Sequence, residues 1–171
     1  MTDKFLNALA NEDERSNGEW IKFPSLDTCA ALDIPESYRI SLKVKPATPR
    51  MMEAITKRAT IKKFDRGKNR QEQEISEDRL IRELGNDIVE DWQLTVKQWR
   101  FWVPSNPPAF STVDGVTEND LIPYSAEMFV NLTRRSLSLS LGANVIEEAT
   151  NPKNFTLVDM DDLTTEDEVK N

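Results

Sequence analysis

The chain has 171 residues, 38% of them hydrophobic, enough for one buried core at the usual size of a single domain. Its formal charge is -8, from 30 acidic and 22 basic side chains, so its mean field repels nucleic acid and anionic lipid surfaces. With no histidine and a single cysteine, Cys29, it holds no Ser-His-Asp or Cys-His nucleophilic arrangement, no internal disulfide and no cysteine zinc site, and the isolated thiol points to a reducing compartment.

Residues 1–17 start with a short helix-compatible piece, Phe5, Leu6 and Leu9, and run into the polar cluster Asn11 to Asn17, which reads as a mobile N-terminal arm. Gly18 opens GEWIKFP, where Trp20, Ile21 and Phe23 favour a short strand that Pro24 stops. From Tyr38 to Lys45 the apolar residues Tyr38, Ile40, Leu42 and Val44 alternate with polar ones at period two, the pattern of a half-buried strand. The two strands are expected to form an antiparallel hairpin joined by a loop from Pro24 to Ser37.

Thr48 and Pro49 read as an N-cap and a first helical residue, opening a basic helix to about Lys63 with Met51, Met52, Ile55 and Ala59 facing inward. The polar run Asp65 to Glu74 around Gly67 reads as a connection. Ser76 caps a second helix with Glu77 and Asp78 in its first turn, and Ile75 and Leu80 are spaced as a hydrophobic staple. Leu80, Ile81, Leu84, Ile88, Val89 and Trp92 recur at helical spacing, which predicts a helix through Trp92, with Gly85 admitting a close neighbour.

The aromatic stretch from Leu94 to Val103 ends at Pro104 and, with the Asp114-Gly115 turn, predicts a long irregular excursion. Ser125 caps a helix with Met128, Phe129 and Leu132 inward, and Leu137, Leu141 and Val145 predict a further helix ending near Asn151-Pro152. Asp159 to Glu168 holds six acids and no base, an acidic, disordered tail over 156–171. The fold class expected is mainly α with a small N-terminal antiparallel β-element (α+β) and flexible acidic termini, as one mostly helical domain over 18–155.

Charge is unevenly spread. Ten Lys or Arg from Lys43 to Arg70 face only Glu53 and Asp65, a net +8, which leaves -16 on the rest of a chain whose total is -8. Within that stretch Lys57, Lys62 and Lys63 are candidate partner-binding cations, by counterion release to phosphate or by contact with an acidic protein surface. The opposing acidic remainder and the absence of a nucleic-acid-binding module favour a protein or self contact. Trp99, Phe101 and Trp102, interleaved with Lys97 and Arg100, are core, a partner-binding hot spot or a base-stacking platform, in that order of preference. No phosphate-cradling glycine motif, nucleophile elbow or calcium loop is present, and Glu90-Asp91, adjacent on a helix, would not face one another. No catalytic residue, metal or cofactor is expected, and with no apolar run of about 18 residues, neither is a signal peptide or a membrane span.

The order of these features carries a resemblance. An acidic arm leads into NGEWIKF, then a basic strand and helix, then an acidic helix closing in DIVEDW, the turn in VDGVTENDLIPYS, a helix opening SAEMFVNL, and a last helix followed by NPKNF. Over roughly residues 15 to 155 this resembles the tail assembly chaperone family of long-tailed bacteriophages. The resemblance implies a small, mostly helical, non-enzymatic protein of the host cytoplasm. Its partners would be the tape measure protein and the tail tube protein, with possible self-association, and it would be absent from the finished virion. The alternative classes are a nucleic-acid-associated or DNA-mimicking regulator and a minor structural tail protein.

Overall fold

The computed structural model describes residues 18–103, 107, 115–136 and 140–155. The expected arm, the acidic tail, most of the excursion after Val103, Asp114 and Leu137 lie outside the described residues. The fold is α+β, with six helices and five strands in two antiparallel sheets among the described residues.

Strand β1 (Glu19–Phe23) pairs antiparallel with β2 (Ile40–Val44), as the sequence predicts; the register sets Ile21 opposite Leu42, and the second strand starts at Ile40, not Tyr38. The connection is more than a loop. It holds helix α1 (Leu26–Leu32), capped by Ser25, whose hydroxyl accepts from Thr28 N at 3.2 Å, and a 3-10 turn over Glu36–Tyr38. Cys29 on α1 is buried and free.

Helix α2 (Pro49–Ala59) starts at the predicted cap, Thr48, but ends four residues before Lys63. The β-branched pair Thr60-Ile61 leaves the helical period, and the chain runs on as β3 (Thr60–Asp65), which turns back as β4 (Arg70–Ile75). The predicted connection 65–74 is thus half of a β-ribbon. Ser76 caps α3 (Glu77–Asp87) as predicted. Gly85 is approached so closely that a Cβ there would lie 2.9 Å from Phe129.

Helix α3 does not reach Trp92. It stops at Asp87, and β5 (Val89–Gln93) joins the far side of β2, giving a sheet ordered β1-β2-β5 with a bulge between Lys43 and Val44. The β-structure is therefore not confined to an N-terminal hairpin. The aromatic stretch is not irregular either. Its core is α4 (Val96–Trp102), opened by a capping box in which Thr95 and Gln98 satisfy one another's backbone N–H.

Helices α5 (Ala126–Arg135) and α6 (Leu141–Thr150) follow, then a 3-10 turn over Pro152–Asn154. One hydrophobic cluster runs from Phe23 to Ala149, with Ile40, Leu42, Val44, Leu94, Val96, Trp99, Phe129, Leu132, Leu141 and Val145 fully buried. The predicted inward residues Ile55, Ala59, Ile81, Leu84 and Met128 all lie in the core.

Candidate interaction surface

Strands β3 and β4 make a two-stranded ribbon, and among the described residues each strand is paired on one side only. The tip is a tight turn in which Asp65 Oδ1 accepts from Gly67 N at 2.8 Å and Lys68 N at 3.3 Å, with Asn69 left-handed at φ 50°. At the base, Ser76 N donates to Ala59 O at 2.9 Å.

The register places Lys62 opposite Gln73, Phe64 opposite Gln71, and Lys63 opposite Glu72. Because successive residues of a strand point to opposite faces, the ribbon has two unlike sides. One carries Lys63, Asp65, Arg70, Glu72 and Glu74 and is laced by ion pairs. Lys63 lies 3.3 Å from Glu74, Arg70 lies 2.8 Å from Glu72, and Lys68 reaches Glu72 at 3.1 Å. Hydrogen bonds from Arg70, then from Lys68, hold the Glu72 carboxyl below the ordinary carboxylate range.

The other side carries Lys62, Phe64, Gln71, Gln73 and Ile75, all exposed, with Phe64 at 54% and Ile75 at 50%. It has a single charge. Ile75 therefore does not bury itself in the expected staple, although Leu80 packs against the core. Sequence reasoning missed this face. The signal was present in the Gly67 to Asn69 turn set between TIKKFD and RQEQEI, a hairpin spacing.

The candidate cations do not form one cluster. Lys57 sits on α2, while Lys62 and Lys63 project from opposite faces of β3. Much of the basic run is neutralised by acids from the following segments. Glu90 on β5 lies 3.5 Å from Lys43 and 3.4 Å from Lys45, and also accepts from Gly18 N at 3.1 Å. Arg58 donates to Glu83 at 2.6 Å and to Asp87, tying α2 to α3, and these bonds, the one to Glu83 foremost, raise the guanidinium pKa further.

The aromatic candidates are also divided. Trp99 is wholly buried and its indole Nε1 has no hydrogen-bond partner among the described residues. Trp102 is 7% exposed and donates Nε1 to Tyr38 O at 2.8 Å. Both belong to the core, and neither presents a surface to a partner. Phe101, 42% exposed, stacks on Tyr38 at 4.0 Å and meets Trp102 edge-on at 4.9 Å, with Lys97 Nζ 5.8 Å from the Tyr38 ring centre.

Among the described residues no group of three or more His, Cys, Asp or Glu side chains is placed to hold a metal ion. No helix among them is long and apolar enough to cross a membrane. The most shifted tyrosine, Tyr124, is pushed up by burial and then by Asp91, and its hydroxyl donates to Gly85 O, a packing role. No protein-family model, no curated protein and no solved structure matches the chain.

Proposed function

We propose that this chain works by binding other proteins, as a phage tail assembly chaperone whose clients are the tape measure protein and the tail tube subunits, acting in the host cytoplasm and leaving no copy in the finished virion. The order of sequence features that resembles that family supports the client class. One structural observation supports the mode of action: the face of the β3–β4 ribbon with a single charge, where Phe64 and Ile75 stand half exposed beside Lys62 and two glutamines.

Such a face suits transient binding. Free strand edges offer main-chain hydrogen bonds to an extended client, and the apolar pair offers area that a client can cover and later release. The opposite, ion-paired face keeps the ribbon soluble while the first is unoccupied.

Co-expression with candidate tail proteins tests the reading. The expected result is a tape measure protein that stays soluble beside the wild-type chain and precipitates beside a Phe64→Ser, Ile75→Ser double variant that remains folded by circular dichroism. A tape measure protein that is insoluble with the wild-type chain, or equally soluble with both, would sink the proposal.

A further inference from the structure

The outer edge of β4 is unpaired among the described residues, and charge is ordered along it. Arg66, Lys68 and Arg70 lie at the ribbon tip, while Glu72, Glu74, Glu77 and Asp78 follow towards its foot and the first turn of α3. Arg70, Gln71, Gln73, Glu74 and Ile75 are all exposed. A strand that is basic at one end and acidic at the other is complementary to itself when turned end for end. The β3 edge has no such order. From Lys57 to Arg66 it carries Lys57, Arg58, Lys62, Lys63 and Arg66 against Asp65 alone, so a second copy there would set cations against cations.

Symmetry restricts the register. In an antiparallel pair of identical strands the two-fold axis passes beside a residue that faces its own copy, which keeps like faces of the two ribbons together. An axis at Glu72 pairs all of Arg70 to Glu74 and sets Arg70 of each copy opposite Glu74 of the other, with Gln71 opposite Gln73. An axis at Gln73 would set Glu72 against Glu74, and one at Gln71 would pair only Arg70 to Glu72 of the strand. The Glu72 carboxyls that meet on the axis lie among the cations that already bind them, Lys68 at 3.1 Å and Arg70 at 2.8 Å. The same axis brings each tip towards the other copy's foot, where Arg66 and Glu77 are exposed and take part in no ion pair among the described residues.

We propose that two copies of this chain join through their β4 edges into a four-stranded antiparallel sheet, ordered β3-β4-β4-β3, with the two-fold axis at Glu72. Both single-charge faces then lie on one side of that sheet, so Phe64 and Ile75 of the two copies share one broader surface, and each β3 edge stays open. The pairing does not depend on which client is bound.

Sedimentation equilibrium of the full chain is the test. The wild type is expected to weigh as a monomer at about 5 µM and as a dimer at about 500 µM, as befits a small interface. Its dissociation constant should rise about tenfold between roughly 0.05 and 0.5 M salt. The Arg70→Glu chain and the Glu74→Arg chain, each alone, should dimerise about tenfold more weakly, because each sets like charges opposite one another. An equimolar mixture of the two should recover the wild-type affinity, since one then carries acids where the other carries cations, and that recovery also shows both to be folded. Cys29 is buried, so Glu72→Cys supplies the reactive thiol, and its facing Cα atoms, about 5 Å apart, suit a disulfide between copies. On mild oxidation it should cross-link on the order of tenfold faster than Lys62→Cys on β3. A wild-type chain that is monomeric at 500 µM, a dimer indifferent to both charge reversals, a mixture no tighter than its components, or equal cross-linking at the two positions would overturn the pairing and leave the β4 edge to a partner of another kind.

Discussion

The β1-β2-β5 sheet and the β3–β4 ribbon are made of strands of nearly equal length, yet one is the floor of the core and the other stands in water. The cause is parity. In β2, Ile40, Leu42 and Val44 are two apart, so all three fall on one face and are fully buried. In β3, Ile61 and Phe64 are three apart and fall on opposite faces, so neither side of the ribbon gathers enough apolar area to pack. A strand pair without a packed face is marginal by itself, and this one is held by its base and by the ion pairs of its charged side.

Truncating each region should separate them most sharply. Leu42→Ala removes a fully buried side chain and should cost about 2–5 kcal/mol, whereas Phe64→Ala should stay within about 0.5 kcal/mol of the wild type, both read by urea denaturation. A large loss at Phe64 would show the ribbon to be part of the cooperative core. Native-state hydrogen exchange gives the next largest contrast. Amides of Ile40 to Val44 should exchange only through global unfolding, and those of Ile61 to Glu74 on the order of 100-fold faster through local opening. Equal protection would erase the distinction.

Acid gives the smallest effect, and it should be confined to the ribbon. The Glu72 carboxyl has a lowered pKa in the fold, so its stabilisation is fully present above the ordinary carboxylate pKa and is lost as pH falls through the lowered one. Amide chemical shifts of β4 should move over that window while those of β2 stay fixed until global acid unfolding. Glu72→Gln should abolish the β4 response.

The same parity explains what could be read from the sequence. Helix starts were legible because Thr48, Ser76 and Ser125 signal locally, and each caps its helix by accepting a backbone N–H. Strand β2 was legible from its clean alternation. The end of the last helix, expected near Asn151-Pro152, falls at Thr150, but the ends of α2 and α3 were not legible. Trp92 lies four residues after Ile88 and so fits a helical stripe, but in the fold it faces the core from β5, on a strand whose alternation is interrupted by an extra residue, Glu90, between the partners of Lys43 and Val44. Helix α4 was hidden by its aromatics, although Thr95 and Gln98 spell a capping box. Of the candidate site, the exposure of Phe101 and Lys62 was foreseeable. The burial of Trp99 and the pairing of Lys43 and Lys45 with Glu90 were not, because they depend on contacts distant in sequence.

The hydrogen bond from Ser76 N to Ala59 O has a consequence for how such a chain can change. It pins the two feet of the ribbon together, so everything from residue 60 to 75 is a closed detour between α2 and α3. Lengthening such a detour adds only a slowly growing loop entropy, about 0.6 kcal/mol per doubling. The ribbon is in that sense a detachable tool on a fixed handle: its length and recognition residues can be exchanged, or the whole replaced by a short link between the two helices, while the core keeps its shape.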